Sequence, residues 1–177
     1  MLPLLLLAVS MNPPKTVTIG EPLSALKGEF LTGKPAVLPD AAKGKVALLA
    51  LGFTYASRFP VEAWVGRFRK DFDHNPAVTF YEIPLIGGMA RMGKWFIDSG
   101  MRRGTPVADR ENVITVYGGV DAWKTAVDCK DPNQACLLLL DQRGVVQWRY
   151  AGNFDDKIYA ELAEQVHRLT TRKSESK

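Results

Sequence analysis

The most strongly patterned stretch of the chain is residues 46–72, where an apolar run is followed by a helical period. Residues 46–53 are almost entirely apolar, which is typical of a strand buried on both faces of a sheet. After a short loop and Pro60, apolar residues recur at spacings of three and four, as on one face of a helix. These residues are Val61, Trp64, Val65, Phe68 and Phe72. The pattern predicts a central strand, a loop, and a helix that begins near Pro60 and packs one face against the sheet.

The rest of the chain alternates between strand-like and helix-like periods. The predicted strands are residues 78–83, 113–117, 136–140 and 145–150, and the predicted helices are residues 89–101, residues 121–127 and a last helix with the apolar stripe Ile158, Leu162, Val166 and Leu169. From residue 46 the order is β-α-β-α-β-α-β-β-α, and connections through a helix favour parallel strands. The turn at residues 141–144 joins the last two strands as an antiparallel hairpin, in which Val146, Trp148 and Tyr150 share one face.

The N-terminal part of the chain differs in composition from the middle. Residues 1–10 are apolar but far fewer than the roughly 20 residues of a membrane-spanning helix. They resemble a secretory signal peptide or an uncleaved hydrophobic tether, so we expect an exported or membrane-tethered protein, on the periplasmic side in a bacterium. Residues 11–44 form a proline-rich extension with a small hairpin, residues 45–170 form the main domain, and residues 171–177 are a polar tail.

Two features of the main domain resemble thioredoxin-like proteins. The closing segment LLLLDQRGVVQWRYAG, residues 137–152, is similar to the last hairpin of such domains. The order of strands and helices is also similar, with the insertions of the exported branch of that superfamily. The resemblance implies an α/β fold, a three-layer sandwich in which a central mixed sheet carries an N-terminal hairpin and a C-terminal β-hairpin plus helix.

The resemblance also indicates where a redox site would lie. In this superfamily the loop after the central strand carries a reactive Cys-x-Pro-Cys motif. With Phe53 as the anchor, Pro60 falls on the motif's proline, and Arg58 and Val61 fall on its two cysteines. An arginine cannot attack a disulfide or a peroxide as a thiolate does. We therefore predict that the protein is not an enzyme, with no catalytic residue and no cofactor.

The sequence contains two cysteines, Cys129 and Cys136. In an exported chain an even pair predicts a disulfide. The alternative is a displaced redox pair, which would make the protein a divergent thiol–disulfide oxidoreductase. A metal site is not predicted, because the two histidines, His74 and His167, lie far apart in the sequence.

The start of the first helix is one candidate binding site. Ser57 and Arg58 precede the helix, whose free N–H groups and dipole favour an anion. These residues would make the protein a small-anion-binding domain. The alternative is that Arg58 pairs with an acid such as Glu62.

Residues 91–103 are a second candidate, since they combine two aromatic residues and four cations with a single acid. Basic residues interleaved with aromatics can contact a membrane surface, a partner helix or a nucleic acid. The alternative is an ordinary amphipathic helix with Met92 and Phe96 facing the core. The net charge of +4 suits an acidic partner or an anionic membrane surface. It is too small, without a recognised motif, to predict nucleic-acid binding.

Taken together, the segments YASRFP (residues 55–60) and MGKWFIDSGMRRG (residues 92–104) resemble the mitochondrial assembly factors for the membrane sector of ATP synthase, a family with bacterial relatives. The resemblance implies a chaperone-like, non-enzymatic protein at an energy-transducing membrane, acting on the proton-channel subunit. The partner would be a membrane protein subunit or complex under assembly, and we expect the protein to be a monomer. For its contact surface we infer Arg58, Trp95, Arg102 and Arg103.

Overall fold

The computed structural model describes residues 13–171, which contain seven strands and four helices. The strands are β1 (Leu26–Phe30), β2 (Pro35–Leu38), β3 (Val46–Gly52), β4 (Val78–Pro84), β5 (Ile114–Thr115), β6 (Ala135–Leu140) and β7 (Val146–Gly152). The helices are α1 (Arg58–Phe72), α2 (Lys94–Gly104), α3 (Val120–Ala126) and α4 (Asp156–Thr171). Short 3₁₀ segments lie at Asp40–Ala42, Gly88–Gly93 and Val107–Asp109. The signal-like residues 1–10 and residues 172–177 of the polar tail lie outside the described residues. None of the helices within residues 13–171 has the length and hydrophobicity of a membrane span.

The strand β3 lies inside a four-stranded sheet with the order β4-β3-β6-β7. It pairs in parallel with β4, and it pairs antiparallel with β6, where Leu51 lies opposite Cys136. The hairpin of β1 and β2 pairs with β5, and residues beside β5 form parallel bridges to β4. The predicted mixed sheet, N-terminal hairpin and order of elements are therefore confirmed.

The direction of β6 differs from the prediction. A connection through a helix favours a parallel strand, but β6 runs antiparallel to β3. The seven residues of α3 rise only about 10 Å. A strand of seven residues is about 23 Å long, so α3 does not carry the chain back to the other end of the sheet. The chain enters β6 opposite Leu51, near the end at which β3 leaves the sheet.

Two apolar clusters lie on opposite faces of the sheet. Alternate residues of β3 point into each cluster, and residues 46–51 are all fully buried. The helices α1 and α4 cover one face, whereas the N-terminal hairpin and α3 cover the other. The layers are thus helices, sheet, and hairpin with helix, as the three-layer prediction requires. All five predicted core residues of α1 are buried, which also confirms the helix after β3.

A β-bulge in β7 changes which residues share a face. Leu139 pairs with Trp148, but the next residue, Leu140, pairs with Val146. The extra residue places Val146 in the cluster under the hairpin, whereas Trp148 and Tyr150 pack on the cluster under α1 and α4. The prediction that these three residues share one face is wrong, because simple alternation assumes a regular strand.

Candidate functional site

The loop between β3 and α1 is closed by hydrogen bonds between Thr54 and Ser57. Ser57 Oγ donates to the carbonyl oxygen of Thr54 at 2.7 Å and accepts from the Thr54 N–H at 3.1 Å. Thr54 Oγ1 in turn accepts from the Ser57 N–H at 3.2 Å. Ser57 is 1% exposed, so its hydroxyl is fully engaged within the loop. The Ser57 side chain thus stabilises the loop, and its role in anion binding stays a prediction.

Arg58 forms the predicted alternative contact. Its Nε lies 2.7 Å from Oε1 of Glu62, and the hydrogen bond to this carboxylate raises the pKa of Arg58 above its ordinary value. The guanidinium carbon lies 5.9 Å from the ring centre of Tyr55 and 5.7 Å from that of Phe59. Tyr55 and Phe59 are 77% and 60% exposed. The structure therefore presents an aromatic and cationic surface, which we call the loop cluster of Tyr55, Arg58 and Phe59.

The disulfide between Cys129 and Cys136 lies next to this loop. Their Cα atoms are 6.1 Å apart, and both residues are buried. The turn between them contacts the loop, because Thr54 Oγ1 lies 2.9 Å from Oδ1 of Asn133 and 3.3 Å from the carbonyl oxygen of Pro132. The disulfide thus closes a turn that is bonded to the loop where the redox motif would lie. Cys129 and Cys136 are only 5% and 1% exposed, which limits the access of a dissolved thiolate to the bridge.

The helix α2 is held by a polar network on its inner side. Asp98 is 2% exposed, and its two oxygens accept hydrogen bonds of 2.6 Å from Lys94 Nζ and from the Tyr117 hydroxyl. Lys94 also lies 3.1 Å from Oε1 of Glu29 on β1. Burial and the hydrogen bond to Asp98 raise the pKa of Tyr117. Burial alone would lower the pKa of Lys94, but the hydrogen bonds to Asp98 and Glu29 outweigh it and raise that pKa.

Three large apolar residues in and just before α2 face outward. Met92, Trp95 and Phe96 are 88%, 77% and 71% exposed. The alternative that Met92 and Phe96 face the core is wrong, because the charged network occupies the inner side of the helix. Trp95 and Phe96 line an open concavity of about 400 Å³ together with Ser99, Arg102 and Arg103. We call Met92, Trp95, Phe96, Arg102 and Arg103 the α2 surface.

The predicted contact residues therefore belong to two places in the fold. Trp95, Arg102 and Arg103 lie on the α2 surface, whereas Arg58 lies in the loop cluster at the start of α1. Sequence reasoning missed the inner network around Asp98. One signal was available, because Asp98 is the single acid of the segment and follows Lys94 by four residues, the spacing of a helical ion pair.

A further titratable group lies on β4, on the face that packs against α1. The pKa of Glu82 is raised from 4.5 to about 6, chiefly by burial and also by the carboxylates of Glu62 and Asp109, while Arg69 lowers it. Arg69 is itself held by Asp109, with both nitrogen–oxygen distances at 2.9 Å. Glu82 thus shares Arg69 with a second acid.

Glu82 is expected to make stability depend on pH. Its pKa is higher in the folded protein, so its contribution to stability is complete below about pH 4.5 and is lost as the pH rises through about 6. Glu82→Gln is therefore expected to be more stable than the wild type at pH 8, by up to about 2 kcal/mol. Urea denaturation at pH 4, 6 and 8 measures this. A difference that does not shrink toward pH 4 would contradict the expectation.

The sheet order, the two helix-covered faces and the loop before α1 define a thioredoxin-like fold. No protein-family model and no curated protein matches the chain. Solved structures do match it. One is a putative thiol:disulfide interchange protein, DsbE, from Chlorobium tepidum, with a TM-score of 0.60 and 15% identity over 87% of this chain and 99% of that chain.

Two other solved structures are similar to the same extent. The thioredoxin domain of a thiol-disulfide oxidoreductase from Bacteroides vulgatus has a TM-score of 0.59 and 17% identity, over 85% of this chain and 99% of that one. BsSco, in which a disulfide switch was identified, is a member of the Sco family of cytochrome c oxidase assembly proteins. It has a TM-score of 0.58 and 14% identity, over 89% of this chain and 99% of that one. At these identities the likeness shows the fold alone.

Proposed function

We propose that this protein is a thioredoxin-fold assembly factor that binds a membrane protein subunit and carries out no redox chemistry. One observation carries the proposal. The loop after β3 is closed by Thr54 and Ser57, and it exposes two aromatic rings and an arginine where the redox cysteines of thioredoxin-like proteins would lie. Aromatic and arginine side chains are the residue types that dominate the energy of protein interfaces. The loop cluster is therefore the proposed contact for that membrane protein subunit, which we call the client.

Other features support the proposed client and the proposed compartment. The resemblance of residues 55–60 and 92–104 to the ATP synthase assembly factors supports the membrane sector of that enzyme as the client. BsSco belongs to a family of assembly proteins, which supports an assembly role on this fold. The disulfide supports an oxidising compartment, since such bonds persist outside the cytosol. We therefore propose an exported or membrane-tethered protein on the periplasmic side of a bacterial membrane.

A second candidate function is thiol–disulfide exchange at Cys129 and Cys136. The contact of Thr54 with Asn133 favours this second function. It places Cys129 and Cys136 beside the loop that carries the redox motif in thioredoxin-like proteins. The names of two of the matching structures also support it, as they are a thiol:disulfide interchange protein and a thiol-disulfide oxidoreductase. The burial of both cysteines opposes this second function. An experiment has to separate the two functions.

The first test is affinity purification of the tagged full chain from mildly solubilised membranes, followed by mass spectrometry. We expect enrichment of ATP synthase membrane subunits with the wild type, and a loss of at least about tenfold with Tyr55→Ala/Phe59→Ala, because truncating two interface anchors costs more than about 1.4 kcal/mol. Ile19→Ala removes a third exposed apolar residue, 56% exposed, and is the matched control. Recovery of the protein without ATP synthase subunits would contradict the proposal.

The second test uses Cys129→Ser/Cys136→Ser in the same purification and in an assay of the reduction of a model peptide's disulfide with dithiothreitol as the electron donor. We expect unchanged capture of the client, and no reductase activity in the wild type. Because the bridge spans seven positions, its removal is expected to cost about 2.5 kcal/mol, so the fold of the variant is checked by circular dichroism. If the wild type reduces the peptide and the variant does not, the oxidoreductase function replaces the assembly function.

A further inference from the structure

In α2 the polar and apolar faces are reversed relative to an ordinary surface helix. Its ionic residues Lys94 and Asp98 point inward, where they bind each other, Glu29 and Tyr117. Its largest apolar residues, Trp95 and Phe96, point into solvent. The inner network fixes this orientation, because a rotation of the helix would separate Asp98 from the Tyr117 hydroxyl and Lys94 from Glu29. The exposed face is thus held open to solvent by the fold.

The cations at the end of α2 differ in their contacts from most of the other described arginines. Among residues 13–171, no ion pair includes Arg102 or Arg103, although most of the other arginines pair with a carboxylate. Arg102 Nε is buried and has no hydrogen-bond acceptor within the described part of the chain. The neighbouring Arg110 donates to the carbonyl oxygens of Thr105 and Arg102, and not to a carboxylate. The end of α2 therefore carries uncompensated positive charge next to exposed aromatic rings.

This combination fits an anionic phospholipid surface. Tryptophan and phenylalanine are stable at the boundary between headgroups and acyl chains, while arginines bind the phosphates. The single acid of the helix, Asp98, is buried on the far side and does not face the lipid. We infer that the α2 surface docks the protein onto an anionic phospholipid bilayer. The inference rests on the proposed function in that it supplies the membrane contact of the assembly factor, and it leaves the loop cluster free for the client.

Vesicle co-sedimentation with the full chain tests the inference. The probes are vesicles of phosphatidylglycerol and phosphatidylcholine in equal amounts, and vesicles of phosphatidylcholine alone. We expect at least about tenfold tighter binding to the anionic vesicles. Arg102→Ala/Arg103→Ala is expected to weaken that binding about 30-fold, because each arginine near the surface contributes about fivefold. Residues 1–12 are present in every variant, so their own affinity for lipid cancels in the comparison.

Two control variants match the change in charge and in apolar area. Lys34→Ala/Lys130→Ala removes the same charge from side chains that are 70% and 85% exposed. Tyr55→Ala/Phe59→Ala removes two exposed aromatic rings elsewhere and is compared with Trp95→Ala/Phe96→Ala. We expect both controls to bind anionic vesicles within about threefold of the wild type, since distant surface charges are screened. We expect Trp95→Ala/Phe96→Ala to lose at least about tenfold.

Three results would overturn the inference. They are equal binding to neutral and anionic vesicles, equal losses in the arginine variant and its lysine control, and wild-type binding by both α2 variants. If the α2 surface instead binds a protein, client capture falls in the α2 variants while vesicle binding does not change. Client capture is measured in detergent without vesicles, and it depends on the loop cluster. Failure of lipid binding and failure of the proposed function are therefore seen in separate experiments.

Discussion

Replacing Trp64 with alanine is expected to lower the free energy of unfolding by about 3–5 kcal/mol, whereas the same change at Trp95 is expected to alter it by less than about 0.5 kcal/mol. Trp64 lies on α1 and is fully buried against β7 and α4. Its ring centre lies 5.5 Å from that of Tyr150, 5.0 Å from that of Phe154 and 6.3 Å from that of Tyr159. Its Nε1 also donates to the carbonyl oxygen of Gly152 at 3.2 Å.

The large loss has two physical causes. The alanine variant forfeits the burial of an indole ring, and the surrounding aromatic rings cannot collapse fully into the space that it leaves. Trp95 is 77% exposed, so its removal creates no cavity. Urea denaturation of both variants, followed by circular dichroism, measures the two changes. Similar losses at the two positions would contradict the assignment of Trp95 to an exposed binding surface.

The part of the fold that depends on one local period could be predicted from the sequence. The burial of β3 on both faces follows from its unbroken apolar run, and the inner face of α1 follows from spacings of three and four. The order of elements and the mixed sheet follow from the same patterns and from the resemblance to thioredoxin-like domains. In these segments the residues that decide the structure are close together in the sequence.

The features that the sequence did not reveal depend on distant partners. The direction of β6 is set by where the chain re-enters the sheet, and the faces of β7 are set by a bulge opposite Leu139 and Leu140. The orientation of α2 is set by Glu29, which is 65 residues away from Lys94, and by Tyr117, which is 19 residues away from Asp98. A helical period alone favours apolar residues inside. Burying Asp98 is costly unless it has hydrogen-bond partners, and those partners can be identified only from the structure.

Replacing Asp98 with alanine is expected to lower the free energy of unfolding by about 2–3 kcal/mol. Removing one partner of a buried charge pair typically costs about 3–5 kcal/mol, because the other partner stays buried without compensation. Lys94 is 40% exposed and keeps its contact with Glu29, so water and that carboxylate recover part of the loss. The Tyr117 hydroxyl keeps only the carbonyl oxygen of Lys94, at 3.4 Å.

Asp98→Asn separates the hydrogen bond to Tyr117 from the charge. Its amide oxygen can still accept from Tyr117, while the attraction to Lys94 is lost, so we expect about half of the alanine effect. Asp121→Ala is the matched control: its side chain is 99% exposed and 3.9 Å from Lys124, and we expect no measurable change. Chemical denaturation of the three variants gives these differences.

Hydrogen exchange then tests whether the Asp98 network holds α2 in particular. Without the network, the backbone amides of α2 are expected to exchange faster, while those of β3, which is buried on both faces, keep the protection of the wild type under native conditions. An equal acceleration in β3 and α2 would mean that Asp98 stabilises the whole domain and not the presentation of Trp95 and Phe96. In that case the outward face of α2 would be a by-product of global packing, because its orientation would not depend on a dedicated contact.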